Sequence, residues 1–364
     1  MPTLQDRIRE VVDDRITAGS ERGIQVSVRR HGEVLVDLAL GTADPAGDRP
    51  MSPDTPVFSW SVAKGVTATA VHLLVQQGRL DADTTVADVW PEFAAHGKGG
   101  VTVRHVLTHS AGVPAVPMGT TIEQLADWDH MCAAIADETP WWEPGTQTGY
   151  HAYTYGYILG EVVRRATDRM ISDIVRDEIT APMGIDDELF LAVPPSELPR
   201  LATLEEAPGP PMNLDDFPPD LPMFRTGPMT LNPRAELGNR AEVLTAEIPA
   251  VGTMTARALT LFYDALLAGR ILDRDRFVTA VKPAFSGIDA VFGNPVTWAL
   301  GYALGLPAEP EPVTRSVFGM GGAGGSHGWA DTATGVSFAV TRTRFDLMSD
   351  IGGEIIDLVR AETA

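Results

Sequence analysis

Along the chain, apolar residues recur either at helical spacing or at every second position, and these two patterns predict the helices and the strands. Residues 3–19 carry apolar side chains at helical spacing, and residues 23–30 and 34–40 predict two strands of a hairpin joined by His31-Gly32-Glu33. The remaining segments follow the same patterns: helices at 61–77, 253–268 and 347–362, helix and loop from 77 to about 190, and strands at 297–304, 325–331 and 335–343.

Strand-forming segments therefore lie at both ends of the sequence, with a helical middle between them. This order predicts an α/β (α+β) fold in which one sheet is assembled from both ends of the chain. We expect a single domain over residues 1–364, with a sheet lobe from 1–58 plus 285–364 and an inserted helical lobe at 59–284. A length of 364 residues is enough to bury a cleft.

Residues 207–235 are rich in proline, which forbids a continuous helix or central strand there. A disordered linker is one interpretation. An ordered lid or cleft wall is favoured, because apolar side chains are interspersed among the prolines: Met212, Phe217, Met223, Phe224 and Met229.

Composition narrows the partners. A net charge of −21 disfavours nucleic acid and anionic membrane surfaces as partners and is otherwise interpreted as surface solvation. The expected partner is a small-molecule acyl substrate. The single cysteine, Cys132, excludes an intrachain disulfide and a cysteine-based metal cluster. The first residues lack a signal-peptide pattern and no apolar run reaches membrane-spanning length, so a cytoplasmic location is expected. The sequence leaves the oligomeric state open.

Ser61 and Lys64 form the strongest chemical signal. They stand at i and i+3 at the predicted start of a helix, so their side chains share a face. A serine needs a base to become a nucleophile, and a buried lysine can lose its charge and serve as that base, whereas an arginine cannot. Only three of the 28 basic residues are lysines. The alternative is a helix-capping serine with a solvated lysine, but the flanking residues are apolar.

Two further motifs could complete a site. Tyr150 follows a Pro-Gly turn and could relay a proton if a nearby cation lowered its pKa, although it could also be a packing aromatic. Residues 318–331 are rich in glycine, which predicts an edge strand whose backbone lies open to a substrate. A phosphate-binding loop is the alternative, but no Gly-Lys-Ser/Thr follows.

Other chemistries find less support. His105 and His109 have i, i+4 spacing but lack the glutamate of a zinc-protease helix, so we interpret both as structural. Gly-x-Ser-x-Gly occurs nowhere, which disfavours a Ser-His-Asp triad. No metal and no cofactor is expected.

In this order the three motifs resemble the serine β-lactamase and penicillin-binding-protein superfamily, specifically the class C-like branch that includes family VIII carboxylesterases. Residues 101–114 closely match that branch's segment before the cleft, and the resemblance spans about 5–362, weakest at 200–245. It implies a β-lactamase/transpeptidase-like fold, with an antiparallel sheet flanked by helices and a cleft beside the helical lobe.

The resemblance also implies residue roles. Ser61 would be the acylated nucleophile, Lys64 its base or proton shuttle, and Tyr150 an aid to proton transfer. Met320, Gly321 and Gly322 would take the place of a Lys-Thr-Gly triplet beside the substrate. The backbone N–H groups of Ser61 and Ala323 would form the oxyanion hole.

Two departures from the family pattern bear on substrate. Ala152 stands where penicillin-directed enzymes have an asparagine, and Met320 stands where they have a cation or a histidine. We therefore expect a neutral ester. An apolar pocket from Trp60, Met320 and Trp329 is expected. His151 and His327 flank the motifs and are candidates either for substrate contact or for packing: the sequence does not distinguish the two.

The leading hypothesis is a carboxylesterase that works through an acyl-enzyme on Ser61. An acyltransferase of secondary metabolism, which moves the acyl group to an alcohol or amine, stays open. A β-lactamase or D-amino-acid peptidase is less favoured because of Ala152 and Met320. A non-catalytic binding protein is less favoured because nucleophile, base and proton relay are all present.

Overall fold

A computed structural model describes residues 2–209, 221–306, 314–348 and 351–363. The helices of this part of the chain are α1 Leu4–Thr17, α2 Ala63–Gln76, α3 Val86–Val89, α4 Val103–Leu107, α5 Ile122–Leu125, α6 Trp128–Asp137, α7 Thr154–Thr167, α8 Ile171–Val175, α9 Ala181–Met183, α10 Ala235–Gly238, α11 Ala241–Thr245, α12 Ala256–Leu267, α13 Arg274–Ala280 and α14 Ile351–Thr363.

The strands of the described residues are concentrated toward the two ends of the chain, with shorter ones between the helices. They are β1 Gly23–Arg30, β2 Glu33–Gly41, β3 Val57–Phe58, β4 Leu189–Phe190, β5 Glu205–Glu206, β6 Thr253–Met254, β7 Phe285–Ile288, β8 Pro295–Trp298, β9 Ala303–Leu304, β10 Val317–Gly321, β11 His327–Asp331, β12 Val336–Arg342 and β13 Arg344–Phe345. The predicted N-terminal helix and hairpin and the closing helix are confirmed.

One antiparallel sheet organises the molecule. Its strand order is β2-β1-β12-β11-β10-β9-β8-β7. Toward one side of the sheet, β1 pairs with β12, in a register that runs from Ile24 opposite Arg342 to Arg30 opposite Val336. The prediction of an antiparallel sheet built from both ends of the chain and flanked by helices is therefore confirmed.

The two faces of this sheet pack against different helices because side chains alternate along each strand. On one face, α1 and α14 cover an apolar cluster that includes Val26 and Phe338. On the other face, α12 lies across β1, and Ser27 Oγ is hydrogen-bonded to Thr260 Oγ1 at 2.7 Å. The division into sheet and helical lobes stays a prediction, and α12, which it assigns to the helical lobe, packs on the sheet.

Helix α2 is the centre of the helical part. Every residue from Ala63 to Leu74 is buried, so this helix is enclosed on all sides rather than amphipathic. The side chain of Thr67 donates a hydrogen bond to Pro249 O at 2.6 Å and ties α2 to the segment before β6. In the described residues, no helix is both long enough and apolar enough to cross a bilayer.

The predicted lid, 207–235, is described only in part, since residues 210–220, including Met212 and Phe217, lie outside the described residues. Its second half is ordered and packed. Tyr153 Oη donates to Leu231 O at 2.6 Å, Val116 N donates to Thr226 O at 2.9 Å, and the Arg225 guanidinium stacks over Trp141. For this half, a wall attached to the helical part describes the structure better than a linker.

The sequence predicted that the glycine-rich strand is an edge strand, and this prediction is wrong. Strand β10 lies inside the sheet between β11 and β9. However, β9 has only two residues, and its pairing with β10 is limited to Phe318 and Gly319. The last two residues of β10, Met320 and Gly321, extend beyond β9 toward the helical part.

Candidate active site

Ser61 lies on a tight, strained turn between β3 and α2. Ser59 anchors this turn, since its N–H donates to Gly252 O at 2.8 Å and its Oγ to Val57 O at 2.9 Å. Trp60 then adopts φ of 52°, a left-handed conformation that is costly for a bulky residue. Ser61 follows in a short 3-10 turn and is partly exposed, whereas Trp60 and Val62 are buried. The turn therefore presents the Ser61 hydroxyl at an opening in the core.

Lys64 is fully buried beneath this hydroxyl. Its Nζ is hydrogen-bonded to Ser61 Oγ at 2.9 Å and donates to Ala250 O at 3.0 Å. Burial lowers the pKa of Lys64 well below its ordinary value, because the ammonium loses its hydration. The structure thus brings Ser61 and Lys64 together, and the lowered pKa favours the neutral amine, which can accept a proton.

Tyr150 completes the group, but its electrostatics differ from expectation. Its ring centroid lies 4.9 Å from Lys64 Nζ, and its hydroxyl lies beside the Ser61 side chain. Burial raises the pKa of Tyr150 above its ordinary value and outweighs the opposing effect of the Ser61 side chain. The expectation that a neighbouring cation lowers this pKa is wrong, because Lys64 is itself shifted toward neutrality. The raised pKa favours the protonated phenol over a phenolate at Tyr150.

The end of β10 packs closely against the Ser61 turn. A Cβ atom on Gly322 would lie 3.1 Å from Val62 Cγ2 and would overlap the Ser59 carbonyl oxygen. Only glycine permits this approach. Gly322 N donates to Ser326 O at 2.8 Å, and the turn so formed carries Ala323. The oxyanion hole from the N–H groups of Ser61 and Ala323 stays a prediction.

Four residues around Tyr150 were not predicted as part of the site. The ring of His109 lies 4.8 Å from the Tyr150 ring, and Trp298 and Phe292 lie at 6.2 and 5.8 Å. The buried carboxylate of Asp289 accepts hydrogen bonds from the N–H groups of Val291, Phe292 and Tyr150. The sequence pattern offered one signal, the Thr-His-Ser-Ala-Gly turn that contains His109. The others come from a distant segment without a motif.

His151 does not face a substrate. Its Nε2 accepts a hydrogen bond from Val113 N at 3.0 Å, so its proton lies on Nδ1, which donates to Gly149 O at 2.6 Å. The residue is fully buried, and burial lowers its pKa to about 4. Both ring nitrogens are hydrogen-bonded inside the protein, which favours the packing interpretation over a substrate contact.

His327 and Trp329 lie on the wrong face of the sheet for the predicted roles. They alternate with Gly328, and Gly328 faces Val62 on the Ser61 side. Trp329 belongs to the apolar cluster under α1 and α14, and the His327 ring lies against Gly352 of α14. The expected substrate contact of His327 and the expected pocket wall from Trp329 are therefore corrected.

Met320 lies on the Ser61 side of the sheet, and Trp60 directly precedes Ser61 in the turn. Met320 pairs across the sheet with Gly328 and shares its face, with 4% of its surface exposed. Trp60 is buried between Phe58 and Phe345, with ring centroids 4.9 and 6.0 Å away. Ala152 is partly exposed two residues after Tyr150. The surroundings of Ser61 are thus apolar at the positions where the resemblance implies polar groups.

Comparison with known proteins agrees with this geometry. The family model described as Beta-lactamase matches residues 8–357. The esterase/beta-lactamase LipL of Mycobacterium tuberculosis is 32% identical over 346 residues, which cover 88% of this chain and 77% of LipL. Esterase EstB of Burkholderia gladioli is 30% identical over 53% of each chain.

Solved structures give the same result for the whole fold. A family VIII carboxylesterase superposes with a TM-score of 0.87 at 30% identity, covering 99% of this chain and 98% of that one. A penicillin-binding protein homologue from Caulobacter crescentus has a TM-score of 0.87 at 32% identity, with the same coverage. The predicted resemblance and fold class are confirmed, as is a serine ester hydrolase at the level of the family. The chain belongs to the beta-lactamase family.

Proposed function

We propose that this protein is a carboxylesterase that forms an acyl-enzyme on Ser61. One observation carries the proposal: a fully buried Lys64 with a lowered pKa lies 2.9 Å from a partly exposed serine hydroxyl. A buried amine without an ion-pairing role costs stability, and such cost is retained mainly at functional sites. The esterase relatives support the reaction class.

Acylation follows from the two opposite pKa shifts. Ser61 Oγ attacks the ester carbonyl carbon while its proton passes to the Lys64 amine, and the carbonyl oxygen becomes an oxyanion held by the N–H groups of Ser61 and Ala323. When the tetrahedral intermediate collapses, the bond to the alcohol oxygen breaks. The Tyr150 phenol then donates its proton to that oxygen and recovers one from Lys64.

Deacylation reverses these proton transfers with water as the acceptor. Water attacks the acyl carbon, its proton passes through Tyr150 and Lys64, and Ser61 leaves with a proton restored. The carbonyl of Ala250, which holds Lys64 Nζ at 3.0 Å, keeps the amine beside Ser61 in both half-reactions. The same acyl-enzyme would serve an alcohol acceptor, so transfer is a matter of competition with water.

A neutral ester is the substrate class that suits these surroundings. Met320 offers no charge to a substrate carboxylate, and Ala152 offers no amide to a substrate side chain. The buried Lys64 is shifted toward its neutral form, so it does not replace the missing cation. A β-lactam carboxylate would therefore enter a largely apolar site without compensation.

The proposal is tested with a p-nitrophenyl short-chain ester and a fluorophosphonate probe. We expect ester turnover, a single probe adduct on the peptide that contains Ser61, and loss of both in Ser61→Ala. Adding a simple alcohol and analysing the products separates transfer from hydrolysis. Turnover that persists in Ser61→Ala, or a probe adduct elsewhere, would overturn the proposal, and rapid nitrocefin hydrolysis would overturn the substrate class.

A further inference from the structure

We infer that His109 is a positioning residue that holds Tyr150 in the orientation needed to protonate the leaving alcohol. This inference rests on the proposed function and deepens it. His109 lies in the turn after α4, far along the chain from both Tyr150 and Ser61, and is 1% exposed. Its ring contacts Tyr150, and its side-chain nitrogen and backbone carbonyl bind the residues on either side of Tyr150.

The backbone around Tyr150 is held at three consecutive N–H groups. Gly149 N donates to the His109 carbonyl at 3.0 Å, and His151 N donates to His109 Nδ1 at 3.1 Å. Between them, the Tyr150 N–H donates to the Asp289 carboxylate. His109 therefore binds the residues on both sides of Tyr150, and no rotation of the Tyr150 peptide units is possible without breaking one of these bonds.

The His109 ring also supports the phenol directly. It lies 4.8 Å from the Tyr150 ring, 4.9 Å from Tyr155 and 4.4 Å from Trp298, in an aromatic stack beside Lys64. The backbone of His109 has φ of 54°, a left-handed conformation that costs free energy for a residue with a side chain. Such a conformation persists when the surroundings demand it, and here the surroundings are the two hydrogen bonds to 149 and 151.

The role requires a neutral imidazole with its lone pair on Nδ1. Because Nδ1 accepts the His151 N–H, the proton of the neutral ring lies on Nε2. Burial, His151 and Lys64 all lower the pKa of His109, well below its ordinary value, so the lone pair is available at neutral pH. The imidazole thus acts as a fixed acceptor and does not itself transfer a proton to the substrate.

The inference predicts a signature that a merely structural residue lacks. An alkyl ester needs a proton on its leaving oxygen, whereas p-nitrophenolate leaves without one. Misplacing Tyr150 should therefore lower kcat/KM for the alkyl ester more than for the p-nitrophenyl ester of the same acid. A general loss of folding would lower both values in proportion.

Two substitutions separate the acceptor from the ring. His109→Phe keeps a ring but removes the acceptor, and His109→Asn keeps an acceptor at the position of Nδ1 and tolerates the left-handed backbone. We expect His109→Phe to lower kcat/KM for the ethyl ester about 10- to 100-fold, as for a misplacement near 1 Å, and to change the p-nitrophenyl ester only a few-fold. His109→Asn retains the acceptor but loses the ring packing, so it should restore the ratio of the two esters part of the way toward the wild-type value.

Controls keep the outcome decisive. Tyr150→Phe should show the same ester ratio as His109→Phe, and His72→Phe, which removes another buried imidazole, should leave the ratio unchanged. If His109→Phe does not fold, His109→Gly relaxes the backbone and removes the acceptor. A wild-type ratio in the folded acceptor-free variant, or equal impairment of His109→Asn, would overturn the inference. Activity that persists in Ser61→Ala would instead overturn the proposed function.

Discussion

Replacing Gly322 with alanine tests how closely β10 must approach the Ser61 turn. The added Cβ would lie 3.1 Å from Val62 Cγ2 and from the carbonyl carbon of Ser59, with the Ser59 carbonyl oxygen nearer still. Non-bonded carbon atoms pack best at about 3.5–4.0 Å, so the two segments must separate by about 1 Å to admit a methyl group. The obstacle is backbone, which cannot rotate away as a flexible side chain would.

This displacement changes the distance between the two predicted oxyanion donors. A misplacement of about 1 Å costs about 100-fold in rate, which corresponds to about 2.7 kcal/mol of transition-state stabilisation. Overpacking also costs about 1–3 kcal/mol of folding free energy. Gly322→Ala is therefore expected to fold with a lowered Tm and to lose about two orders of magnitude in kcat/KM.

Steady-state kinetics on a p-nitrophenyl ester, with a thermal melt of each variant, measure both effects. Gly100→Ala is the matched control, because a Cβ there meets no atom within 4 Å. We expect that control to retain wild-type kcat/KM. If Gly322→Ala also retained wild-type kcat/KM and Tm, the close approach of β10 would have no catalytic meaning and the reasoning would be refuted.

Three further outcomes follow from the same site. Lys64→Met should abolish ester turnover yet raise the Tm at neutral pH, because the unfolded chain binds a proton on Lys64 that burial disfavours in the folded state. This gain in Tm should fade above about pH 10.4, where Lys64 is neutral in the unfolded chain as well. A lower Tm at pH 7 would contradict the reasoning. In a pH–rate profile, kcat/KM should fall on the acid side as Lys64 becomes protonated, with no decline from Tyr150 below its ordinary pKa of 10.0, because burial raises that pKa. Met320→Lys should lower kcat/KM for a neutral ester and increase nitrocefin turnover, and an unchanged preference would exclude Met320 as a determinant.

The Ser61 and Lys64 pair could be predicted because its geometry is local. Residues at i and i+3 share a helix face in any fold, and the apolar residues around Ser61 and Lys64 indicated that this segment is buried. The sheet could also be predicted, because segments with alternating apolar residues occur near both ends of the chain and the middle is helical. The strands of the two ends can therefore pair only with one another. What the pattern missed at Ser61 is the left-handed Trp60, which belongs to a turn ahead of the helix.

The errors all concern relations across the chain. Because side chains alternate along a strand, the sequence shows that His327 and Trp329 lie on the same face of the sheet. Which face is directed toward Ser61 depends on how β10 and β11 pack between two layers of helices. His151 lies beside the correct motif, yet its partner is the backbone of Val113. The edge-strand prediction failed because β9, which covers part of β10, has two residues and no detectable period.

The pairing of β1 with β12 means that the sheet can be completed only late in synthesis of the chain. Residues up to Arg30 must wait for Val336 and its successors to leave the ribosome before the open side of their hairpin is covered. A strand edge that is still unpaired can pair with other chains, so this edge is an aggregation hazard until β12 has been made. Gly322 is also among the last parts to arrive at Ser61. A chain that ends before Gly322 therefore carries Ser61 and Lys64 but lacks the segment that packs against the Ser61 turn.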